Sequence, residues 1–111
     1  MEECRALIEK ALGYDSASVR YHTGWFQNTL PADAPGIGPV AVLRIDGDWY
    51  ASTKVCLEHL YEQVVSGGFV IIDDYGTYDG CRRATDEFLA KHHIRAFLNH
   101  IDEGARYFVK L

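Results

Sequence analysis

The sequence has little of what marks nucleic-acid binders, secreted proteins and membrane proteins. Its 111 residues include 11 Lys and Arg against 16 Asp and Glu, a net charge of −5. Because no basic stripe could neutralise a phosphate backbone, we expect no nucleic-acid partner. No apolar run approaches the ~20 residues needed to cross a bilayer, and Met1-Glu2-Glu3 does not begin a signal peptide. The sequence therefore predicts a cytoplasmic protein without membrane association.

Cysteine is also scarce, and several well-known catalytic motifs are missing. The three cysteines, Cys4, Cys56 and Cys81, form no CxxC pair and match no zinc-binding spacing. We expect them to be small core residues in a reducing compartment. No P-loop, HExxH or GxSxG pattern occurs. Because 48% of the residues are hydrophobic and 24% are charged, we predict one packed domain over residues 1–111.

The order of apolar segments predicts an α/β fold. Residues 40–45 and 69–72 lack polar alternation, which is typical of parallel strands covered on both faces. Helical patterns separate the strands, so we expect a mostly parallel sheet with helices on both faces and one antiparallel strand from a closing hairpin. The expected elements are a helix at 2–12, a strand at 18–22, a helical turn at 25–30, a loop at 31–39, a strand at 40–45, a helix from Ser52 or Thr53 to 65, a strand at 69–72, a helix at 79–92, and strands at 95–100 and 105–110.

Both apolar strands end in aspartate. Asp46 and Asp48 follow the first strand, and Asp73 and Asp74 follow the second. Ligands of open α/β sheets bind outside the carboxyl ends of the strands. Carboxylates that meet there repel one another unless a cation lies among them, and Mg²⁺ or a similar hard ion suits oxygen ligands. The alternative is a set of separate turn-forming or capping aspartates, which are common after strands.

Aromatic residues flank these acids, and one histidine lies upstream of them. Trp49, Tyr50 and Tyr75 either form the wall of an organic-substrate site or belong to the core. His22 follows the first predicted strand, where it is either a base in the same cleft or an ordinary polar residue. The residue pattern leaves these alternatives open.

Four segments together resemble the macrocin O-methyltransferase family. The resemblance implies a Rossmann-like class I fold and Mg²⁺-dependent methyl transfer from S-adenosylmethionine to a sugar hydroxyl. It also implies that Asp46, Asp73 and Asp74 bind the metal. The general base is placed on Asp48, although Asp46 could share or hold that role. The matching segments are WFQNTLP (25–31), LRIDGDWYAST (43–53), GGFVIIDDYG (67–76) and GCRRATDEF (80–88).

One departure from the family limits these expectations. The Gly-rich turn after the first strand of the fold, and the acid after its second strand, have no counterpart, and Gly13 and Gly24 do not rebuild that turn. We therefore expect a truncated, C-terminal portion of a methyltransferase domain in which most of the S-adenosylmethionine site is missing. Two alternatives remain: a non-catalytic oligomeric remnant, and a glycosyltransferase in which Asp46-Gly47-Asp48 is a metal-binding DxD.

The truncation has a further consequence for the strand at 40–45. It would leave that strand with an unpaired apolar edge, and such edges favour pairing with another strand. Either residues 18–22 cover the edge or a second chain does. We therefore expect a homodimer or a higher oligomer, formed through this edge or through uncovered helix faces.

Overall fold

A computed structural model describes residues 6–11, 13 and 19–111. These residues contain three α-helices and four strands, with a helix after each of the first two strands. The elements are a π-helical turn Leu7–Ala11, α1 Phe26–Asp33, a 3₁₀ turn Ala34–Gly36, β1 Val40–Ile45, α2 Tyr50–Leu60, a 3₁₀ turn Tyr61–Gln63, β2 Val64–Ile72, α3 Asp79–Lys91, β3 Asn99–His100 and β4 Arg106–Val109.

The strands form one mixed sheet in the order β1-β2-β4-β3. Strands β1 and β2 are parallel, whereas β4 runs antiparallel to both of its neighbours, β2 and β3. Three strands therefore run in one direction and only β4 runs in the other. This arrangement confirms the predicted α/β fold with a mostly parallel sheet and one antiparallel strand.

The three long helices pack on one face of the sheet. Leu43 and Ile45 of β1, together with Val70 and Ile72 of β2, form a buried cluster with apolar residues of α1, α2 and α3. The alternate residues are open: Val42 is 54% exposed, and Phe69 and Val109 are also exposed. The expected helix cover on both faces is therefore not found in the described residues. Apart from Arg44, the apolar residues of β1 are thus divided between one packed face and one open face.

Two element boundaries differ from the sequence prediction. Helix α2 begins at Tyr50 rather than at Ser52 or Thr53, because the Trp49 carbonyl already accepts the Thr53 N–H at 3.1 Å. The chain also re-extends at Val64, where the sequence predicted the end of a helix. Gly67 lies at φ +85° in β2, and the β1–β2 register shifts between Val40 and Val42, so the Gly-rich segment forms an irregular strand rather than a break.

Other predictions near the amino terminus are only partly met. Residues 19–22 form no strand, Ser18 lies outside the described residues, and no other described strand pairs with the outer edge of β1. The predicted helix at 2–12 contributes helical Ala6 and the π-helical turn, and residues 2–5 and 12 lie outside the description. Helix α1 continues through Pro31 to Asp33, although residues 31–39 were expected to form a loop.

Buried cysteines agree with the expected core role. Cys56 and Cys81 are free and buried, while Cys4 lies outside the described residues. Burial raises the pKa of the Cys56 thiol to about 11, so it remains protonated at neutral pH.

No described helix is both long and apolar enough to cross a membrane. Cytoplasmic location stays a prediction.

Candidate metal centre

The Asp46-Gly47-Asp48 loop joins β1 to α2 and is held by buried contacts. The Thr53 hydroxyl donates to the Gly47 carbonyl at 3.1 Å, and the Thr53 side chain is fully buried. A Cβ atom at Gly47 would lie 2.9 Å from Ser52 Oγ, so a side chain there would displace the Ser52 hydroxyl. The loop therefore lies tightly against the start of α2, with an exposed aspartate on either side of a buried glycine.

At the end of β2, the two adjacent aspartates have different surroundings. The Asp73 N–H donates to the Ile45 carbonyl at 2.9 Å and so extends the pairing of β1 with β2. Its side chain pairs with Arg44 at 3.1 Å. The Asp74 carbonyl instead accepts the N–H groups of Thr77 and Tyr78 at 3.1 and 3.0 Å, which forms the turn into α3.

Three of the four predicted acids converge. Asp46, Asp48 and Asp74 each offer a carboxylate oxygen, and these oxygens all lie within 4.8 Å of one another. We call these three residues the acidic cluster. Asp73 is not part of it, because its carboxylate faces Arg44. The structure thus brings together two of the three ligands implied by the family resemblance, Asp46 and Asp74, with the residue proposed as base, Asp48.

The electrostatics of the acidic cluster centre on Asp74. Its Oδ2 atom is buried and has no hydrogen-bond donor among the described residues. Burial raises the pKa of Asp74 to about 6, helped next by the Asp48 side chain, both as a hydrogen-bond partner and as a negative charge, and then by the charges of Asp46 and Asp73. A divalent cation would relieve both conditions, since it would supply a partner to the buried oxygen and offset the like charges. The residues present therefore fit a hard metal ion.

A cavity of about 390 Å³ opens beside the acidic cluster. This volume lies within the range of about 300–1,000 Å³ that is usual for small-molecule sites. Trp25 and Trp49 stand on its rim with 76% and 75% of their surfaces exposed. We call this space the aromatic cavity; its lining includes Trp25, Phe26, Gln27, Asp46, Asp48 and Trp49.

Other candidates from the sequence are engaged elsewhere. The Tyr50 hydroxyl donates to Glu87, and the Tyr75 hydroxyl donates to Asp86 at 2.7 Å; neither tyrosine lines the aromatic cavity. His22 Nδ1 lies 2.9 Å from an Asp33 carboxylate oxygen and is exposed, which matches its reading as an ordinary polar residue. Of the three aromatic candidates, only Trp49 lines the cavity.

Sequence reasoning missed Trp25 and Phe26 as cavity residues and Arg44 as a partner of the acids. The first two lie far from the acids along the chain, and the sequence marks them only through the WFQNTLP segment of the family resemblance. Arg44 carried a usable signal, since it lies two residues before Asp46 in a strand and therefore points to the same face.

Comparison with known proteins places this chain in a family. The family model of macrocin-O-methyltransferase (TylF) matches residues 3–110. The chain belongs to the macrocin O-methyltransferase family. Its fold agrees with this, because it superposes on the O-methyltransferase NovP with a TM-score of 0.91 and 41% identity, over 98% of this chain and 44% of NovP.

Two curated relatives are O-methyltransferases by name, and the first is named for a rhamnosyl compound. An 8-demethyl-8-(2,3-dimethoxy-alpha-L-rhamnosyl)-tetracenomycin-C 4'-O-methyltransferase of Streptomyces olivaceus is 43% identical over 92% of this chain and 38% of its own length. A demethyldecarbamoylnovobiocin O-methyltransferase of Streptomyces niveus is 48% identical over 80% of this chain and 33% of its own length. The chain thus spans about a third of the length of these relatives. Its family membership argues against the glycosyltransferase alternative.

Proposed function

We propose that this chain forms the metal-binding and acceptor-binding part of a Mg²⁺-dependent sugar O-methyltransferase. The observation that carries the proposal is the convergence of three carboxylate oxygens within 4.8 Å at the rim of the aromatic cavity. Parallel strands β1 and β2 bring the acids there from two parts of the chain. Because the chain belongs to the macrocin O-methyltransferase family, we interpret this geometry as the metal site of a methyltransferase.

The acidic cluster supplies the metal ligands in this proposal. Asp46 and Asp74 are assigned as ligands, and Asp48 lies close enough to share the ion. The buried, unpaired Oδ2 atom of Asp74 supports this assignment. Asp73, the third ligand implied by the resemblance, would have to turn away from Arg44 in order to join. When bound, Mg²⁺ would lower the pKa of a coordinated sugar hydroxyl.

Asp48 is the proposed general base. It is exposed and lines the aromatic cavity, so its carboxylate can accept a proton from an acceptor hydroxyl held there. Asp46 also lines the cavity and remains the second candidate for this role. Asp74 is less suited, because its Oδ2 atom is buried.

The aromatic cavity is the proposed acceptor site. The relatives' names specify a rhamnosyl-tetracenomycin compound and demethyldecarbamoylnovobiocin as acceptors. The exposed indoles of Trp25 and Trp49 offer flat apolar surfaces with a polar N–H at one edge, which suits an amphipathic ring. We therefore propose a sugar-type acceptor.

The methyl donor implied by the family is S-adenosylmethionine. Among the described residues, no strand followed by a Gly-rich turn precedes β1, so these residues do not form its expected cradle. We accordingly assign no residue to S-adenosylmethionine binding. Calorimetric titration with S-adenosylmethionine separates an O-methyltransferase from a non-catalytic remnant, because the remnant would bind the metal without binding this donor.

Metal titration tests the proposed site. Calorimetry with MgCl₂ should detect binding to the wild-type chain, and Asp74→Asn should weaken it by at least about tenfold, since a charged ligand is lost. Glu62→Gln is the matched control: it also removes one negative charge, but from the 3₁₀ turn before β2, at the opposite end of that strand. No binding by the wild type, or equal binding by both variants, would refute the metal site.

We also propose that the chain self-associates, as expected from the exposed apolar edge. Strand β1 lies at the end of the described sheet and pairs there only with β2. The open face next to this edge carries exposed Val42 and Phe69. Apolar edges and patches of this kind favour strand pairing between chains. Light scattering after size-exclusion chromatography tests the proposal, and a monomer at micromolar concentration would contradict it.

A further inference from the structure

Arg44 places a positive charge between carboxylates from two strand ends. It lies on β1 opposite Ile71 of β2, on the open face of the sheet. One of its terminal nitrogens is 3.1 Å from Asp73 Oδ1 and 3.8 Å from Asp46 Oδ2. The guanidinium thus contacts one member of the acidic cluster and one acid outside it.

Asp73 is separated from Asp74 because Asp73 still pairs with β1, whereas Asp74 belongs to the turn that leads into α3. Consecutive residues of an extended strand point to opposite faces. Asp73 follows the buried Ile72 and turns to the face that carries Arg44, whereas the Asp74 carboxylate lies in the acidic cluster. Arg44 therefore pairs with the one acid at this edge that is directed away from the cluster.

We propose that Arg44 is a positioning residue that holds Asp73 outside the acidic cluster and lowers the affinity of the cluster for divalent cations. The inference rests on the proposed metal site. Arg44 acts in two ways: it occupies the carboxylate that would otherwise be available as a further ligand, and its own charge repels a cation bound nearby. In the metal-free chain the same charge reduces repulsion between the aspartates of the two strand ends.

The size of the effect follows from exposure. The Arg44 side chain is 56% exposed, so water and salt screen its charge strongly. Removal of one unit charge close to a bound dication should then tighten binding by about three- to tenfold. Arginine is permanently charged, so this effect should not depend on its titration.

Calorimetric titration with MgCl₂ alone tests the role of Arg44. Arg44→Met keeps a long, unbranched side chain like the aliphatic part of arginine but removes the charge. It should tighten Mg²⁺ binding by about three- to tenfold. Arg44→Lys keeps the charge and should stay within about twofold of the wild type. The difference between Arg44→Met and the wild type should shrink at high salt. A general structural role for Arg44 would not produce this pattern of charge and salt dependence.

A double-mutant cycle isolates the coupling to Asp73. Asp73→Asn should weaken Mg²⁺ binding more in the Arg44→Met background than in the wild type, because Asp73 is then free to act as a ligand. Should Arg44→Met fail to fold, Arg44→Gln takes its place in both measurements. Unchanged or weaker Mg²⁺ binding by the folded, charge-free variant would overturn the inference. Failure of the wild type to bind Mg²⁺, or an unaffected Asp74→Asn variant, would instead overturn the metal site itself.

Discussion

The two faces of the sheet carry similar apolar residues in very different surroundings. On β1, Leu43 is 7% exposed and its neighbour Val42 is 54% exposed. On β2, Val70 is fully buried while its neighbour Phe69 is 43% exposed. The first residue of each pair packs beneath the helices, and the second lies on the open face. Apolar identity alone therefore does not show which face of this sheet is covered.

The same contrast continues beyond β2 into the acids. Asp74 has a buried oxygen in the acidic cluster, whereas Asp73 pairs with the exposed Arg44 on the open side. Two chemically identical neighbours thus have different electrostatic surroundings. Their surroundings follow from the faces to which they point rather than from their position in the sequence.

Two valine substitutions, one on each face of the sheet, should show the largest difference in stability. Val70→Ala removes two methyl groups from a fully buried site and should lower the free energy of unfolding by about 2–3 kcal/mol. Val42→Ala on the open face should cost less than about 1 kcal/mol. Urea denaturation followed by circular dichroism measures both. Equal losses would mean that the open face is covered in solution.

The pH dependence of stability tests the electrostatic surroundings of Asp74. The pKa of Asp74 is raised to about 6 in the folded chain from an unfolded value of 3.8. The folded chain therefore binds more protons between these values, and its stability falls as pH rises through this window. Allowing for solvent screening, the loss by pH 7 should be on the order of 1–2 kcal/mol in metal-free buffer.

Asp74→Asn isolates that contribution. The metal-free variant should be more stable than the wild type at pH 7, and the difference should vanish near pH 4. Saturating Mg²⁺ should stabilise the wild type more than the variant, because only the wild type retains this charged ligand. Denaturation curves at both pH values, with and without Mg²⁺, measure these effects. A variant that gains no stability at pH 7 would contradict the raised pKa.

The smallest effect on folding is expected from Val42→Lys. A lysine on the open face beside the free edge should oppose pairing between chains while changing the free energy of unfolding by less than about 1 kcal/mol. Light scattering should then show a lower mass for the variant than for the wild type. If the wild type assembles and the variant has the same mass, the assembly uses another surface, such as the helix faces.

The position of β1 and the meeting of aspartates at the strand ends could be predicted from the sequence. Val40–Ile45 is predicted and found with the same bounds, because its apolar run is flanked by Pro39 and Asp46. The meeting of Asp46 and Asp74 followed from the general position of ligand sites at the carboxyl ends of parallel strands. These features depend on local pattern and on topology, both of which the sequence carries.

The remaining features depend on long-range packing. Helix α2 begins at Tyr50 because the Trp49 carbonyl accepts the Thr53 N–H, and no propensity at Ser52 reveals this. The approach of Trp25 to Trp49 across the cavity depends on how α1 packs on α2. The Arg44–Asp73 pair required the register of β1 against β2 in addition to the strand assignments.

The opposite directions of Asp73 and Asp74 make the site sensitive to strand length. A single residue inserted or deleted between Phe69 and Ile72 would reverse the phase of every later side chain in β2. A deletion would then put Asp74 where Asp73 now pairs with Arg44, and the acidic cluster would lose one of its three carboxylates. A frame-preserving indel of one codon could thus disable the site with all four aspartates still present, a lesion that inspection of residue identities alone would overlook.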